Sequence, residues 1–361
     1  MLNLLNHVPL GHRDLSACDS QQGCNDLQEP GLPDLLHSVP ALWQWMHSHC
    51  LNNLLATNTI LRGQVHDFVT KVKLKSSKEI TWVVCGKFPC LLSLEIMSYE
   101  KDDRLERHTA AELFDGRLPC LNSLKFWSTK LDAPALLELA RAGRFKLVSL
   151  SCFYSVQDTA AFKALTHSNF QSLQMFSYCL QDPEHQAIES LFKADWPNLR
   201  KLTLGMAYLG NQGSREKILE DLEADSMATN KWVDLQEVNM SHFRCSAAGL
   251  RLMFAGQQWL NLCTLSLLEL ADVTMSEIVH MVTAAILPRL CSLQIVGQKQ
   301  DLCADDVRRL AAGQWPLLET LRADVPFEYV HYLRHASWPK LKSLQVCRYS
   351  GFVVQNSVWV T

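Results

Sequence analysis

The sequence predicts an α/β solenoid, in which a curved parallel sheet lines the concave face and helices cover the convex face. Two observations predict it: one short apolar frame recurs along most of the chain, and a helical pattern follows many of its copies. The clearest copies begin at Trp196, Trp315 and Trp338 and read Trp-Pro-x-Leu-x-x-Leu. Ten copies, spaced 23–36 residues apart and mostly 26–28, indicate a repeat architecture. The anchoring leucine of each copy, numbered here as position 0, is Leu91, Leu121, Leu147, Leu173, Leu199, Leu235, Leu262, Leu290, Leu318 or Leu341.

The spacing of apolar residues within a copy predicts its secondary structure. Leucines at positions 0, 3 and 5 place the last two on one side of a short strand, because strand side chains alternate between faces. A helical stretch then returns the chain to the next strand. Thr274, with Glu277 three residues later, forms a capping-box pattern at the start of one such helix. Helices are predicted at residues 132–142, 183–193, 246–254, 274–285 and 304–312.

These motifs resemble the leucine-rich-repeat family in its longer-repeat form, as in ribonuclease-inhibitor-like proteins. The resemblance covers about residues 69–350, with a weaker eleventh copy at Val69, Val72 and Leu74. It implies a leucine-rich-repeat solenoid that binds its partner on the concave face. The sequence departs from the family at position 8, where the usual asparagine is replaced by Tyr99, Thr129, Ala207 and Phe243. The turns after the strands must therefore be satisfied in another way.

The segment before the repeats, residues 31–68, is predicted to form short apolar helices. It opens with the pattern Leu-Pro-x-Leu-Leu, formed by Leu32, Pro33, Leu35 and Leu36, and is similar to an F-box. That similarity implies docking of these residues on the Skp adaptor of a cullin-RING ubiquitin ligase. The alternative is a helical cap that covers the core of the first repeat.

The two outermost segments are polar or short. Residues 1–30 are rich in turn-forming residues, which predicts a disordered or irregular tail. Residues 351–361 are predicted to form either a C-terminal tail or a capping strand.

Composition and charge bear on the class of partner and on the compartment. The net charge of −3 and the pI near 6.5 give no electrostatic reason to expect a nucleic-acid partner. The sequence holds no apolar window of about 18 residues, so no membrane partner is expected either. The thirteen cysteines are scattered, which favours a reducing, intracellular compartment: the cytoplasm, with the nucleus as a second option. Cysteines within repeat motifs are predicted to pack as small core side chains, namely Cys90, Cys120, Cys152, Cys263 and Cys291.

No residue pattern predicts catalysis, a cofactor or a metal site, so the chain is not expected to be an enzyme. Glycine-rich phosphate loops and nucleophile motifs are missing from the sequence. His47, His49 and Cys50 lack a fourth ligand, and His331 and His335 lack the glutamate of a metalloprotease motif. The tryptophans before the anchors are interpreted as packing residues between repeats: Trp196, Trp232, Trp259, Trp315 and Trp338.

The predicted contact surface is the concave face, which positions 2, 4 and 6 of each repeat line. Position 6 of four early repeats holds Met97, Trp127, Phe153 and Cys179, whose large or soft apolar groups are typical of interface anchors. The alternative is that these four side chains turn inward and join the core. The predicted partner-binding residues are Met97, Lys125, Trp127, Ser151, Phe153, Ser177, Cys179 and Thr203.

These features predict a non-catalytic scaffold that binds a protein partner, whose identity the sequence does not indicate. The alternative is a substrate-recognition subunit of a cullin-RING ubiquitin ligase, and it depends on residues 31–68.

Overall fold

Eleven parallel strands in sequence order build the structure, a computed structural model that describes residues 69–347 with gaps. The gaps are residues 86–87, 99–102, 144–145, 156–158, 181–190, 192–193, 207–231, 271–272, 298–301 and most of 243–258. Beyond residue 347 the backbone of three short strands is described. The parallel strands are β1 (Lys71–Leu74), β2 (Ser93–Met97), β3 (Ser123–Trp127), β4 (Ser149–Phe153), β5 (Met175–Leu180), β6 (Lys201–Met206), β7 (Glu237–Ser241), β8 (Thr264–Leu268), β9 (Ser292–Val296), β10 (Thr320–Asp324) and β11 (Ser343–Cys347).

Each parallel strand pairs with the strand that follows it in the chain, so the sheet order is the sequence order. Past β11 the chain forms a small hairpin of β12 (Tyr349–Ser350) and β13 (Val353–Val354). Strand β14 (Ser357–Trp359) then pairs antiparallel with β11. An open parallel sheet of stacked strand–helix units is a leucine-rich-repeat solenoid, as the sequence predicts.

Helices connect many of the strands. They are α1 (Ile80–Cys85), α2 (Arg107–Glu112), α3 (Ala133–Gly143), α4 (Thr159–Thr166), α5 (Met275–Ala284) and α6 (Ala304–Ala311), with 3₁₀ helices at Ser77–Glu79 and Phe327–His335. Three of the predicted helices are confirmed to within one residue at each end, as α3, α5 and α6. The predicted capping box starts α5: Glu277 N donates to Thr274 Oγ1 at 3.2 Å, and Thr274 N donates to Glu277 Oε2 at 2.9 Å. The helices predicted at 183–193 and 246–254 lie mostly outside the described residues.

The residues from the large apolar side chain to the anchor form a turn before most strands, and Trp-Pro-x-Leu is the clearest version of this sequence. In one copy, Leu199 N donates to the Trp196 carbonyl at 3.1 Å, and the proline between them suits the second position of such a turn. The next two amides, of Arg200 and Lys201, both donate to the Gln174 carbonyl of the preceding repeat, at 2.8 and 2.9 Å. The same shared carbonyl occurs at the start of every strand from β2 to β11. The parallel register is therefore set before each strand begins.

Positions 0, 3 and 5 form the core, as predicted, and the tryptophans pack between repeats. Trp196 and Trp232 are buried with ring centroids 6.4 Å apart, and Trp315 and Trp338 repeat this arrangement at 6.0 Å. The Trp196 indole N–H donates to the Ser168 carbonyl of the preceding repeat at 3.0 Å. The interpretation of these tryptophans as packing residues is confirmed.

Among the described residues, position 7 is left-handed in five repeats, where it directly follows the strand. The backbone φ is 57° at Ser128, 56° at Tyr154, 53° at His242, 49° at Glu269 and 82° at Gly297. The amides of Ser128, His242 and Glu269 each donate to the position 6 carbonyl of the next repeat at 2.8 Å. The backbone ladder thus extends one residue past the strand, which satisfies the turn without an asparagine at position 8.

The structure corrects the prediction that five cysteines pack in the core. The expectation of five core cysteines is wrong for four of them: Cys152, at position 5, is buried, whereas Cys90 and Cys120 are exposed and Cys263 and Cys291 are partly exposed. These four flank the anchor, at positions −1 and 1, where the chain runs along the surface turn.

His331 and His335, which lie between β10 and β11, are both exposed. His331 and His335 belong to a 3₁₀ helix, in which side chains four residues apart do not share a face. The predicted tail 1–30 and the predicted helical segment 31–68, with His47, His49 and Cys50, lie outside the described residues.

Candidate partner-binding surface

Positions 2, 4 and 6 form columns that run across the strands on the concave face. Position 6 aligns Met97, Trp127, Phe153 and Cys179 on neighbouring strands β2 to β5. Position 4 aligns Lys125, Ser151, Ser177 and Thr203 on β3 to β6 in the same way. All eight predicted partner-binding residues therefore lie on one face, next to one another.

The degree of exposure separates the four apolar residues at position 6. Met97, Trp127 and Phe153 are half-buried and alternate along their strands with buried residues such as Phe126 and Cys152. The alternative, that position 6 turns inward and joins the core, therefore does not hold for these three. Cys179 is only 8% exposed, so its neighbours cover it. The accessible apolar surface at position 6 is that of Met97, Trp127 and Phe153.

Trp127 and Phe153 form a stacked pair at the centre of this surface. Their ring centroids are 4.3 Å apart and their planes differ by 18°. The Tyr154 ring lies 6.2 Å from the indole at a tilt of 52°. The indole N–H of Trp127 is shielded from solvent and has no acceptor among the described residues. The pair is a rigid apolar platform that carries a hydrogen-bond donor with no acceptor in the described part of the chain.

A buried carboxylate surrounded by lysines lies beside the ring pair. Register places Lys73, Glu95 and Lys125 side by side on β1, β2 and β3. The Glu95 side chain is 5% exposed, with Lys125 Nζ 3.3 Å from one of its oxygens and Lys73 Nζ 3.4 Å from the other. Lys71 Nζ lies 3.7 Å from that second oxygen. One carboxylate thus faces three ammonium groups.

The lysines keep Glu95 ionised. Burial raises the pKa of this carboxyl, but the charges of Lys125, Lys73 and Lys71 and a hydrogen bond from Lys125 outweigh burial, so the pKa lies below its ordinary value. Lys125 also connects the charged cluster to the rings, since its Nζ is 5.0 Å from the Trp127 ring centroid and 5.6 Å from that of Phe153.

Sequence reasoning missed most of this charged cluster. It identified Lys125 but not Glu95, Lys71 or Lys73 as part of the site, because β1 belongs to the weakest copy of the repeat. A signal was present: lysines alternate with apolar residues from 71 to 75, which places Lys71 and Lys73 on one face of β1 and Lys75 directly after the strand.

Two neighbouring uncharged side chains, Tyr154 after β4 and Cys179 on β5, lie at the edge of this surface. Burial and a hydrogen bond with Cys179 raise the pKa of the Tyr154 hydroxyl, and burial raises the pKa of the Cys179 thiol. Both groups are therefore uncharged at neutral pH. The Cys179 thiol is therefore a buried, uncharged side chain at the edge of the surface.

Farther along the concave face, charges of opposite sign lie near one another. Lys201 Nζ on β6 is 2.7 Å from a Glu237 oxygen on β7, and β10 carries Arg322 at position 4 and Asp324 at position 6. The excess of positive charge is a property of β1 to β3. We call the surface formed by Lys71, Lys73, Lys75, Glu95, Met97, Lys125, Trp127 and Phe153 the N-terminal patch.

Among the described residues, no group of three or more His, Cys, Asp or Glu side chains is arranged to hold a metal ion. None of the helices in the described ranges has the length and apolar character that a membrane crossing requires. The predicted adaptor-binding residues, Leu32, Pro33, Leu35 and Leu36, lie outside these ranges.

Comparison with known proteins finds likeness in solved structures alone. No protein-family model and no curated protein matches the chain. The yeast Rad7 and Elc1 complex contains a chain 15% identical, with a TM-score of 0.45, covering 88% of this chain and 82% of that one. The TLR13–ssRNA13 complex matches at 13% identity and a TM-score of 0.40, over 72% of this chain and 41% of that one. The Leptospira interrogans LRR protein LIC12759 is 15% identical, with a TM-score of 0.30, over 79% of this chain and 81% of that one.

Proposed function

We propose that this chain is a non-catalytic scaffold that holds a protein partner on the concave face of its first repeats. The observation that carries the proposal is the stacked pair of Trp127 and Phe153, which lies half-exposed on a sheet face where most side chains are polar. Large aromatic side chains in the middle of a rigid surface are the residues that dominate binding energy at protein interfaces.

The scaffold itself supports this assignment. Register between parallel strands holds the ring pair in place, so little conformational freedom is lost when a partner binds. Small hydroxyl side chains at position 4 of β4 and β5, Ser151 and Ser177, lie beside the rings on the same face and can both donate and accept hydrogen bonds. An apolar centre with a polar margin is the usual anatomy of a protein interface.

Affinity purification from the source cells tests the proposal. The full chain is compared with Trp127→Ala and with a matched control, Leu268→Ala, which removes an apolar side chain at the same repeat position on β8. We expect a protein that is held by the unmodified chain and by Leu268→Ala but lost from Trp127→Ala. The proposal is wrong if all three forms hold the same proteins to the same extent.

The ubiquitin-ligase alternative stays a prediction from the sequence. Its distinguishing experiment is co-purification with a Skp adaptor, comparing the full chain with a double variant, Leu35→Asp and Leu36→Asp. Adaptor binding that this variant abolishes would add a second function to the scaffold, and failure to bind any adaptor would leave residues 31–68 as a cap.

A further inference from the structure

The charge of the N-terminal patch differs from that of the whole chain. Three lysines (Lys71, Lys73 and Lys125) and one glutamate occupy concave positions of β1 to β4, and Lys75 directly follows β1, whereas the chain carries a net charge of −3. Positive charge is therefore concentrated on one side of the ring pair. A local field of this kind attracts and orients a partner of the opposite sign.

The distances suit a short extended peptide. Neighbouring strands lie about 4.8 Å apart, so the lysines of β1 and the Phe153 ring of β4 are separated by roughly 15 Å. An extended chain rises about 3.3 Å per residue, so about five residues cover that distance. Carboxylates at one end of such a segment would meet Lys71, Lys73 and Lys75, while an apolar side chain at the other end would contact Trp127 and Phe153.

We infer that the partner presents an acidic extended segment, in which carboxylates contact the lysines of β1 and β3 and a neighbouring aromatic or aliphatic side chain contacts Trp127 and Phe153. The inference rests on the proposed function and names the chemistry of the partner.

The ring geometry favours a peptide over a single-stranded nucleic acid. Bases bind protein aromatics by stacking on an open ring face. Here Phe153 covers one face of the indole, and Met97 on β2 is in register with its other side. A peptide side chain can pack against the exposed ring edges without separating the pair.

Selection from a library of displayed random peptides, using the full chain as bait, tests the inference. We expect the selected peptides to be enriched in Asp and Glu close to an aromatic residue or leucine. Their affinity should fall about three- to tenfold for Lys75→Glu, a reversal at an exposed lysine of the patch, because repulsion slows association. Lys125→Glu should weaken binding further, and its thermal unfolding midpoint shows whether the fold is kept beside Glu95.

The control reverses a charge outside the patch. Lys342→Glu changes a lysine that is 70% exposed at the last repeat, and it should leave the affinity unchanged. Selected peptides that are no more acidic than the starting library would overturn the inference. So would binding that neither Lys75→Glu nor Lys125→Glu weakens, or a uridine-rich RNA that displaces the selected peptides.

The outcomes also separate this inference from the proposed function. If neutral or basic peptides are selected and Trp127→Ala does not bind them, the proposed scaffold function is supported and the inference of an acidic partner is wrong. If no peptide is selected, the inference is wrong and the affinity purification still decides the proposed function. If Trp127→Ala binds the selected peptides as well as the unmodified chain does, both are wrong.

Discussion

The Trp127 indole stacks on the Phe153 ring of the next strand at a centroid distance of 4.3 Å, while Phe126, the residue before Trp127, is fully buried. Adjacent residues of one strand thus serve opposite faces of the same sheet. Phe126 belongs to the solenoid core, and Trp127 belongs to a surface that other molecules can reach.

This division predicts unequal losses of stability. Phe126→Ala leaves a cavity among core side chains and should cost about 3–5 kcal/mol. Trp127→Ala removes one stacked ring from a half-exposed site and should cost about 1–2 kcal/mol. Urea unfolding of both variants measures the difference. Equal losses would show that Trp127 is a core residue and would remove it from the proposed surface.

Glu95 makes stability depend on pH. Its pKa in the folded chain lies below the ordinary value of 4.5, so its ionised form stabilises the fold above that pH. The contribution is lost as the pH falls through the lowered value. Glu95→Gln should therefore be less stable than the unmodified chain at neutral pH, and the difference should shrink below about pH 4.5. Thermal melts across this range test it, and a difference that is independent of pH would contradict the lysine cluster as its source.

Asp103 ties two repeats together through buried hydrogen bonds. Its carboxylate accepts from Ser76 Oγ at 2.9 Å, from Ser77 Oγ at 2.7 Å and from the Ser77 amide at 3.0 Å. Burial raises the pKa of Asp103, but these hydrogen bonds outweigh burial and hold it below the ordinary value. Asp103→Ala leaves the serine donors without this acceptor and should cost about 2–4 kcal/mol at neutral pH.

A matched control for Asp103 exists in the same repeat. Asp115 is exposed and pairs with Arg117 at 3.1 Å, so Asp115→Ala should cost less than about 1 kcal/mol. Chemical unfolding of the two alanine variants compares them directly. Similar costs would mean that the Asp103 hydrogen bonds add little to the junction of the first repeats.

The left-handed turns at position 7 predict changes of opposite sign. Ser128 has φ 57°, which costs most side chains about 1 kcal/mol or more, so Ser128→Gly should leave stability unchanged or raise it by up to about 1 kcal/mol. Gly297 has φ 82°, and a Cβ there would lie 2.3 Å from Glu269 Cγ. Gly297→Ala should therefore cost about 1–2 kcal/mol. The thermal unfolding midpoints of the two variants test this. A clearly lower midpoint for Ser128→Gly would contradict a left-handed backbone at Ser128.

The sequence predicts the core of this fold well, because the physical demand there is strong and local. An anchor such as Leu199 is buried in nine of the ten copies, with Leu341 half-buried in the last, and a large apolar residue precedes most anchors at the turn, so both features recur visibly. The capping box of Thr274 and Glu277 was recognisable for the same reason, since two short-range hydrogen bonds define it.

The surface was harder to predict because it depends on contacts between repeats. Trp127 and Phe153 were identified from their position in the repeat, but their stacking follows from the register of two strands. Glu95 looks in the sequence like any polar residue on a strand face, and only the placement of lysines on β1 and β3 shows that it is buried among positive charges. The left-handed turns leave no signal because serine, tyrosine, histidine and glutamate all occupy them.

Site-specific photocrosslinking to the partner tests the central claim most directly. A photoreactive phenylalanine analogue replaces Ser151 beside the ring pair in one form of the full chain, and replaces Gln294 in another. Both residues are half-exposed at position 4, on β4 and β9. Binding at the N-terminal patch predicts strong crosslinking from residue 151 and little from residue 294. Crosslinking from residue 294 alone, or equally from both, would contradict it.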